Sequence, residues 1–235
     1  MRGAGALLLA AIGVALAAAP HAADRPAPAA TVTFLDGTAT RAADGRPEAL
    51  AVGSALREGD RIDTGKRTRL ELTLADGSVV RLGPRSGAVL ETAVFGRTPE
   101  ERKVSARLVV GNVWANVAKA VGGEARFEVR TENAVAGVRG TTFRVDAARD
   151  RSVVVRVYSG AVAVAGLPSP EHRADEPRRE VPGPDEVTRD QWERIVTAMM
   201  EVRVSAAGAP EEPRGFALSA DDPWETWNRE RDAGK

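Results

Sequence analysis

The chain has 235 residues, with 33 Lys and Arg against 33 Asp and Glu and no formal net charge. That balance argues against a nucleic-acid partner, since phosphate binding needs a basic excess or a basic patch. There is no cysteine, and the only histidines are His21 and His172, so disulfides, thiolate nucleophiles, Cys-ligated metals and a well-built His triad lack raw material.

The N-terminus reads as a secretory signal peptide, residues 1–23. Arg2 is its positive end, Ala6 to Ala19 its apolar run, and small residues follow, with cleavage between Ala19 and Ala23. Spanning a bilayer takes about 20 apolar residues, more than this run holds; an uncleaved anchor is the alternative reading, and no transmembrane anchor is expected once the leader is removed. Residues 24–49 read as a Pro- and Ala-rich tether and a first strand. From Thr31 to Ala165 the pattern is short alternating segments bounded by Gly, Asp and Pro. Strands are predicted near 31–35, 61–63, 68–74, 78–83, 87–92, 104–110, 112–118, 125–130, 141–146, 152–158 and 160–165. Many short strands with regular turn signals mean an all-β architecture.

One hairpin is predicted in detail. Leu70, Leu72 and Leu74 alternate on one strand, and Val80 and Leu82 on the next. A two-residue Asp76-Gly77 loop sets Leu72 against Arg81. A three-residue loop, Ala75-Asp76-Gly77, pairs Leu74 with Ser78, Leu72 with Val80 and Leu70 with Leu82. The second register keeps the apolar side chains on one face, and Gly77 then takes the left-handed position. Two segments, Gly111-Asn-Val-Trp-Ala-Asn-Val and Gly160-Ala-Val-Ala-Val, resemble each other weakly. They suit stacked strands in which glycine lets the chain bend at corners.

Residues 167–187 are Pro-rich and charged and read as a linker. A C-terminal extension over 188–235 should hold two short helices. The first, about 189–201, follows the capping pattern Thr188-Arg-Asp-Gln191 and places Trp192, Ile195, Val196 and Met199 at helical spacing. Glu201 to Ser205 alternates like a strand. The second helix has Asp222 at its N-cap, Pro223 at N1 and Glu225 at N3, and should run to about Asp232.

No set of residues suggests catalysis or a cofactor. Asp60 and Asp63 sit at a strand edge with nothing to indicate a cleft between carboxylates. The Asp-Gly pairs at 36, 44 and 76 are turn signals without the spaced oxygen ligands of a calcium loop. The stretch Thr131 to Phe143 is the most informative. Its Gly137-Val138-Arg139-Gly140-Thr141 core predicts a tight turn with positive φ at a glycine, and lacks the ending of a phosphate loop. Arg139 has two readings, an inward brace on backbone carbonyls or an outward anchor for a partner. Trp224, Trp227 and Asn228 share one face of the last helix. They either dock that helix on the β-domain or present an aromatic platform. Trp114 and Trp192 are expected in the core.

Ala136-Gly-Val-Arg-Gly-Thr141, Gly59-Asp-Arg-Ile-Asp-Thr-Gly65, Leu72-Thr-Leu-Ala-Asp-Gly-Ser78, Leu108 to Val113 and Tyr158-Ser-Gly-Ala-Val162 occur in an order that resembles FecR-like domains. The resemblance covers roughly 50–165, with the domain itself set at 50–166. It implies a periplasmic or secreted, non-enzymatic all-β domain, a twisted solenoid-like or sandwich-like stack with a small helical appendage. It also implies an envelope protein or cell-wall component as partner. Action as an accessory to a sigma-factor and receptor system is one alternative; binding or hydrolysis of envelope glycan is another. Because the hydrophobic segment opens the sequence, no cytoplasmic sigma-binding segment of the kind such regulators place ahead of their span is expected, and neither is direct sigma-factor control.

Overall fold

The computed structural model describes residues 28–43, 45–96, 98, 101–119, 126–138, 140–167 and 193–234. The signal peptide, Arg139, Trp192, the Thr188–Gln191 capping pattern and most of the 167–187 linker lie outside the described residues.

Seventeen strands and one helix are described. The strands are β1 (Ala30–Asp36), β2 (Ala39–Ala43), β3 (Arg46–Ala49), β4 (Ala55–Leu56), β5 (Arg61–Thr64) and β6 (Arg69–Leu74). Next come β7 (Val79–Leu82), β8 (Gly87–Phe95), β9 (Arg102–Asn116), β10 (Arg126–Arg130), β11 (Ala134–Val138) and β12 (Thr142–Ala147). The last are β13 (Val153–Ser159), β14 (Ala161–Gly166), β15 (Glu193–Thr197), β16 (Met200–Val204) and β17 (Arg214–Gly215), followed by α1 (Pro223–Ala233).

These strands form two sheets that share β9. Sheet A runs β4-β1-β6-β7-β9-β12-β13-β16-β17. Sheet B runs β3-β2-β5-β8-β9-β10-β11-β14-β15. All pairings are antiparallel except β9 with β10. The chain lays down one strand or a pair in one sheet, crosses to the other and returns. The result is the expected stack, a sandwich wound like a flattened solenoid and not a closed barrel.

The core is set by period-two alternation. Leu72 faces Val80, then Ala115, Phe143 and Val157 along one row of sheet A. Leu70, Leu82, Val113, Val145, Val155 and Val202 form the next. All are buried and meet Ile62, Ala88, Leu108, Val129, Val162 and Val164 of sheet B. The 70–82 hairpin has the predicted register, with Gly77 at φ +83°.

Corners explain most of the glycine pattern. β9 is one continuous strand where two were predicted. Its N-terminal part pairs in sheet B and, from Gly111, its remainder pairs in sheet A. Gly111 has φ +99°, and an added Cβ would lie 2.5 Å from Ser86 Cα. Gly160 (φ +84°) turns the chain from sheet A to sheet B between β13 and β14. Neighbouring hydroxyls lace these corners: Ser86 Oγ accepts from the Asn112 amide at 2.9 Å, and Thr141 donates to the Ala161 carbonyl at 3.0 Å.

Two expectations are corrected. The helix predicted over 189–201 is absent from its described part, where β15, the Ala198-Met199 corner and β16 lie instead. Ile195 faces out and Val196 is fully buried. β15 pairs with β14 and β16 with β13, so neighbouring strands override a spacing that also fits 3.6 residues. Gly137 is not in a turn either. It lies within β11, opposite Glu128 and Ala163. The positive φ of that stretch belongs to Gly140, at +59°, where the chain crosses from sheet B to sheet A.

Candidate functional site

The outer face of sheet A carries one unbroken cross-strand row. Phe34 faces Glu71, then Arg81, Trp114, Arg144, Arg156, Glu201 and Arg214, each in register with the next. Alternation alone would leave these side chains in water. Helix α1 lies over part of the row instead, so that Arg81 is 0 % and Trp114 1 % exposed.

Asp222 starts the helix. Its Oδ1 accepts from the backbone amides of Trp224 and Glu225 at 2.9 and 3.0 Å, while Oδ2 pairs with Arg144. One turn on, Glu225 accepts from the Tyr158 hydroxyl at 3.1 Å and from the Ser219 amide at 3.1 Å. Asn228, wholly buried, presents its carbonyl and amide oxygens to Arg81 at 3.4 and 3.3 Å. At the far end Asp232 accepts from Trp114 Nε1 at 2.9 Å and pairs with Arg81 Nη2 at 2.7 Å. Arg231 reaches Glu71 at 2.7 Å and lies 4.3 Å over the Phe34 ring.

The charges in this seam hold each other ionised. Burial opposes the charge on Glu71, but hydrogen bonds from Arg231 and Arg81 outweigh it and bring its pKa down to about 2. Burial likewise works against Arg144, and Asp146 and Asp222 overcome it, raising its pKa. Asp222 is lowered despite burial by the backbone amide of Glu225 and by Arg144. Tyr158 is pushed up by burial and by Glu225, which keeps it a phenol. Beyond the helix, Glu201 is lowered by Arg214 and Arg156 against its burial.

A cleft of about 270 Å³ opens where α1 meets the ends of β12 and β13. Tyr158 forms part of its wall, tilted against Trp114 at 4.3 Å and edge-on to Phe216 at 5.3 Å. Met199 and Leu218, 39 % and 40 % exposed, and the exposed Arg229 complete it. Among the described residues, no group of three His, Cys, Asp or Glu side chains is placed to hold a metal ion.

The sequence-predicted residues fall into two places. Trp224 is buried against Gly83, and Trp227 stacks on it at 5.3 Å and meets Phe34 at 5.5 Å, with Asn228 beneath. Both indoles therefore sit at the seam between helix and sheet. Gly137, Val138, Gly140 and Thr141 lie on β11 and the following corner, apart from that seam. Sequence reasoning passed over Glu71, Arg81, Arg144 and Asn133. Asn133 ties three segments together by donating to the carbonyls of Arg151 and Ser205 at 2.7 and 2.6 Å. For Glu71, Arg81 and Arg144 the only available signal was a charge between apolar neighbours, which also describes any solvent-facing strand position.

Residues 60–163, somewhat under half of the chain, match the family model described as FecR protein. No curated protein matches the chain. Two crystal structures of a candidate anti-sigma factor from Parabacteroides distasonis ATCC 8503 are similar. One has 21 % identity and a TM-score of 0.46, the other 22 % and 0.45. In each case the match covers 66 % of this chain and 59 % of the other, so it takes in less than two thirds of those proteins. The Gly111 and Gly160 corners, the 70–82 hairpin and the Gly140-Thr141 crossing fall within the matched span, and over residues 60–163 the chain carries a FecR-like domain.

Proposed function

We propose that the chain is a non-enzymatic interaction module of the bacterial cell envelope that meets a protein partner in a signalling role. The FecR match over residues 60–163 carries this reading. The state of the titratable groups supports the non-enzymatic part. Glu71, Arg144, Glu201 and Asp222 are shifted toward their charged forms by partners that also hold the fold together. A general acid or base needs the opposite, a group poised near the working pH and reachable by substrate. The leader-like N-terminus supports export, and no helix among the described residues is long and apolar enough to cross a membrane.

The test is photo-crosslinking in the native host, with benzoylphenylalanine placed singly at the exposed positions Ser159, Val94 and Ile195. At least one position should give a discrete, protease-sensitive adduct in the envelope fraction. Absence of any protein adduct at all three, or turnover of cell-wall glycan by the purified chain, contradicts the reading.

A further inference from the structure

We infer that the cleft between α1 and the ends of β12 and β13 is a peptide-binding site, taking an apolar or aromatic side chain with a carboxylate beside it. The inference rests on the interaction-module reading and names the site and the chemistry of the partner. Three observations lead to it.

The first is where apolar surface remains. Six large apolar side chains among the described residues are exposed, and two of them, Met199 and Leu218, line the same cleft beside Tyr158. Apolar side chains that converge on a concave site with a few polar groups are what a ligand pocket needs.

The second is the backbone that places Met199. Six crossings between the sheets have glycine at positive φ: Gly37, Gly53, Gly59, Gly111, Gly140 and Gly160. The crossing from β15 to β16 uses Met199 at φ 63°, held by its amide on the Val157 carbonyl at 2.7 Å and by its carbonyl on the Phe216 amide at 3.1 Å. Arg85 takes a similar conformation (φ 53°), but it is polar and lines no part of this cleft. A long apolar residue in this region is strained, and strain of this kind concentrates at binding sites. Here it aims a flexible, adaptable side chain at the cleft.

The third is charge. Two acidic side chains stand near the cleft, and both are engaged. Asp232 is held by Trp114 and Arg81, and Glu225 by Tyr158 and the Ser219 amide. Arg229 is exposed, lines the cleft and makes no ion pair among the described residues. Its guanidinium offers a fork for an incoming carboxylate. Thr142 and Ser159 add hydroxyls at the rim.

Methionine-methyl NMR tests the site directly, because the chain has only three methionines. Met199 reports on the cleft, and Met200, half-buried on the neighbouring strand, is the internal control. Each signal is assigned by its replacement with leucine. The probe is N-acetyl-Phe-Asp-amide, compared with N-acetyl-Phe-Asn-amide. The Met199 methyl should shift saturably, with a Kd of about 1 mM as suits so small a ligand. The Asn probe should bind about fivefold or more weakly, and Arg229→Gln should reduce the Asp probe to the same level. Arg229 holds no other group in place, so that variant should fold as the parent does. A motionless Met199 signal, equal binding of the two probes, or indifference to Arg229→Gln overturns the inference. A protein adduct from Ile195 together with a silent Met199 leaves the module reading standing and removes the cleft. A responsive Met199 with no cellular adduct at any position does the reverse.

Discussion

At the scale of single residues, the glycines divide into those that close space and those that only turn the chain. Gly111 does both, with φ +99° and Ser86 backbone in the way of any Cβ, whereas Gly77 has φ +83° and open space around it. Alanine in the left-handed region costs about 1–2 kcal/mol. Gly77→Ala should lose about that much, and Gly111→Ala distinctly more, because the corner itself must shift; urea unfolding measures both. Glu71 gives the second residue-scale prediction. Its side chain is 2 % exposed, between Arg81 and Arg231. Removing one partner of a buried pair leaves a stranded charge, so Glu71→Gln should cost about 3–5 kcal/mol at pH 7. The folded pKa of Glu71, about 2, lies below its ordinary 4.5. The stabilisation from its ion pairs is therefore complete above about pH 4.5 and lost as pH falls toward 2. Thermal melts across that window should show the gap between parent and Glu71→Gln closing as acid is added. A gap that stays constant means that Glu71 does not carry the charge assigned to it.

At the scale of elements, legibility followed how local the signal was. The 70–82 hairpin could be read because alternation and a three-residue turn fix the register within thirteen residues. Helix α1 could be read because Asp222, Pro223 and Glu225 mark its start within one turn. β15 and β16 could not. Ile195-Val196 and Met199-Met200 satisfy helical spacing, and what decides for strands is pairing with β14 and β13, far away in sequence. The seam between α1 and sheet A was hidden for the same reason. Alternation places Arg81 and Arg144 on the outer face, but nothing local says that a helix more than 70 residues further on will cover them. Asp222 joins both levels, as helix cap and as partner of Arg144. Asp222→Asn keeps an oxygen for the cap and loses the charge pair, and should cost about 2 kcal/mol. Asp222→Ala should cost about 1 kcal/mol more through the lost cap. Equal losses in chemical denaturation mean that one of the two roles is absent.

At the scale of the whole molecule, the sandwich extends beyond the family match at both ends. β1 pairs with β6 before it, and β16 with β13 after it. α1 then covers part of the outer face of sheet A, and the proposed binding cleft has α1 as one wall. The cleft therefore requires α1 to be part of the sandwich rather than a tail beside it. An isolated helix of eleven residues is marginal in water, so any lasting protection of its amides must come from docking. Native-state hydrogen exchange followed by mass spectrometry measures this directly. The interior amides of α1 should exchange on the same slow timescale as those of β7 and the sheet A part of β9, through the same cooperative opening. Exchange of α1 within seconds, while those strands stay protected, contradicts that docking.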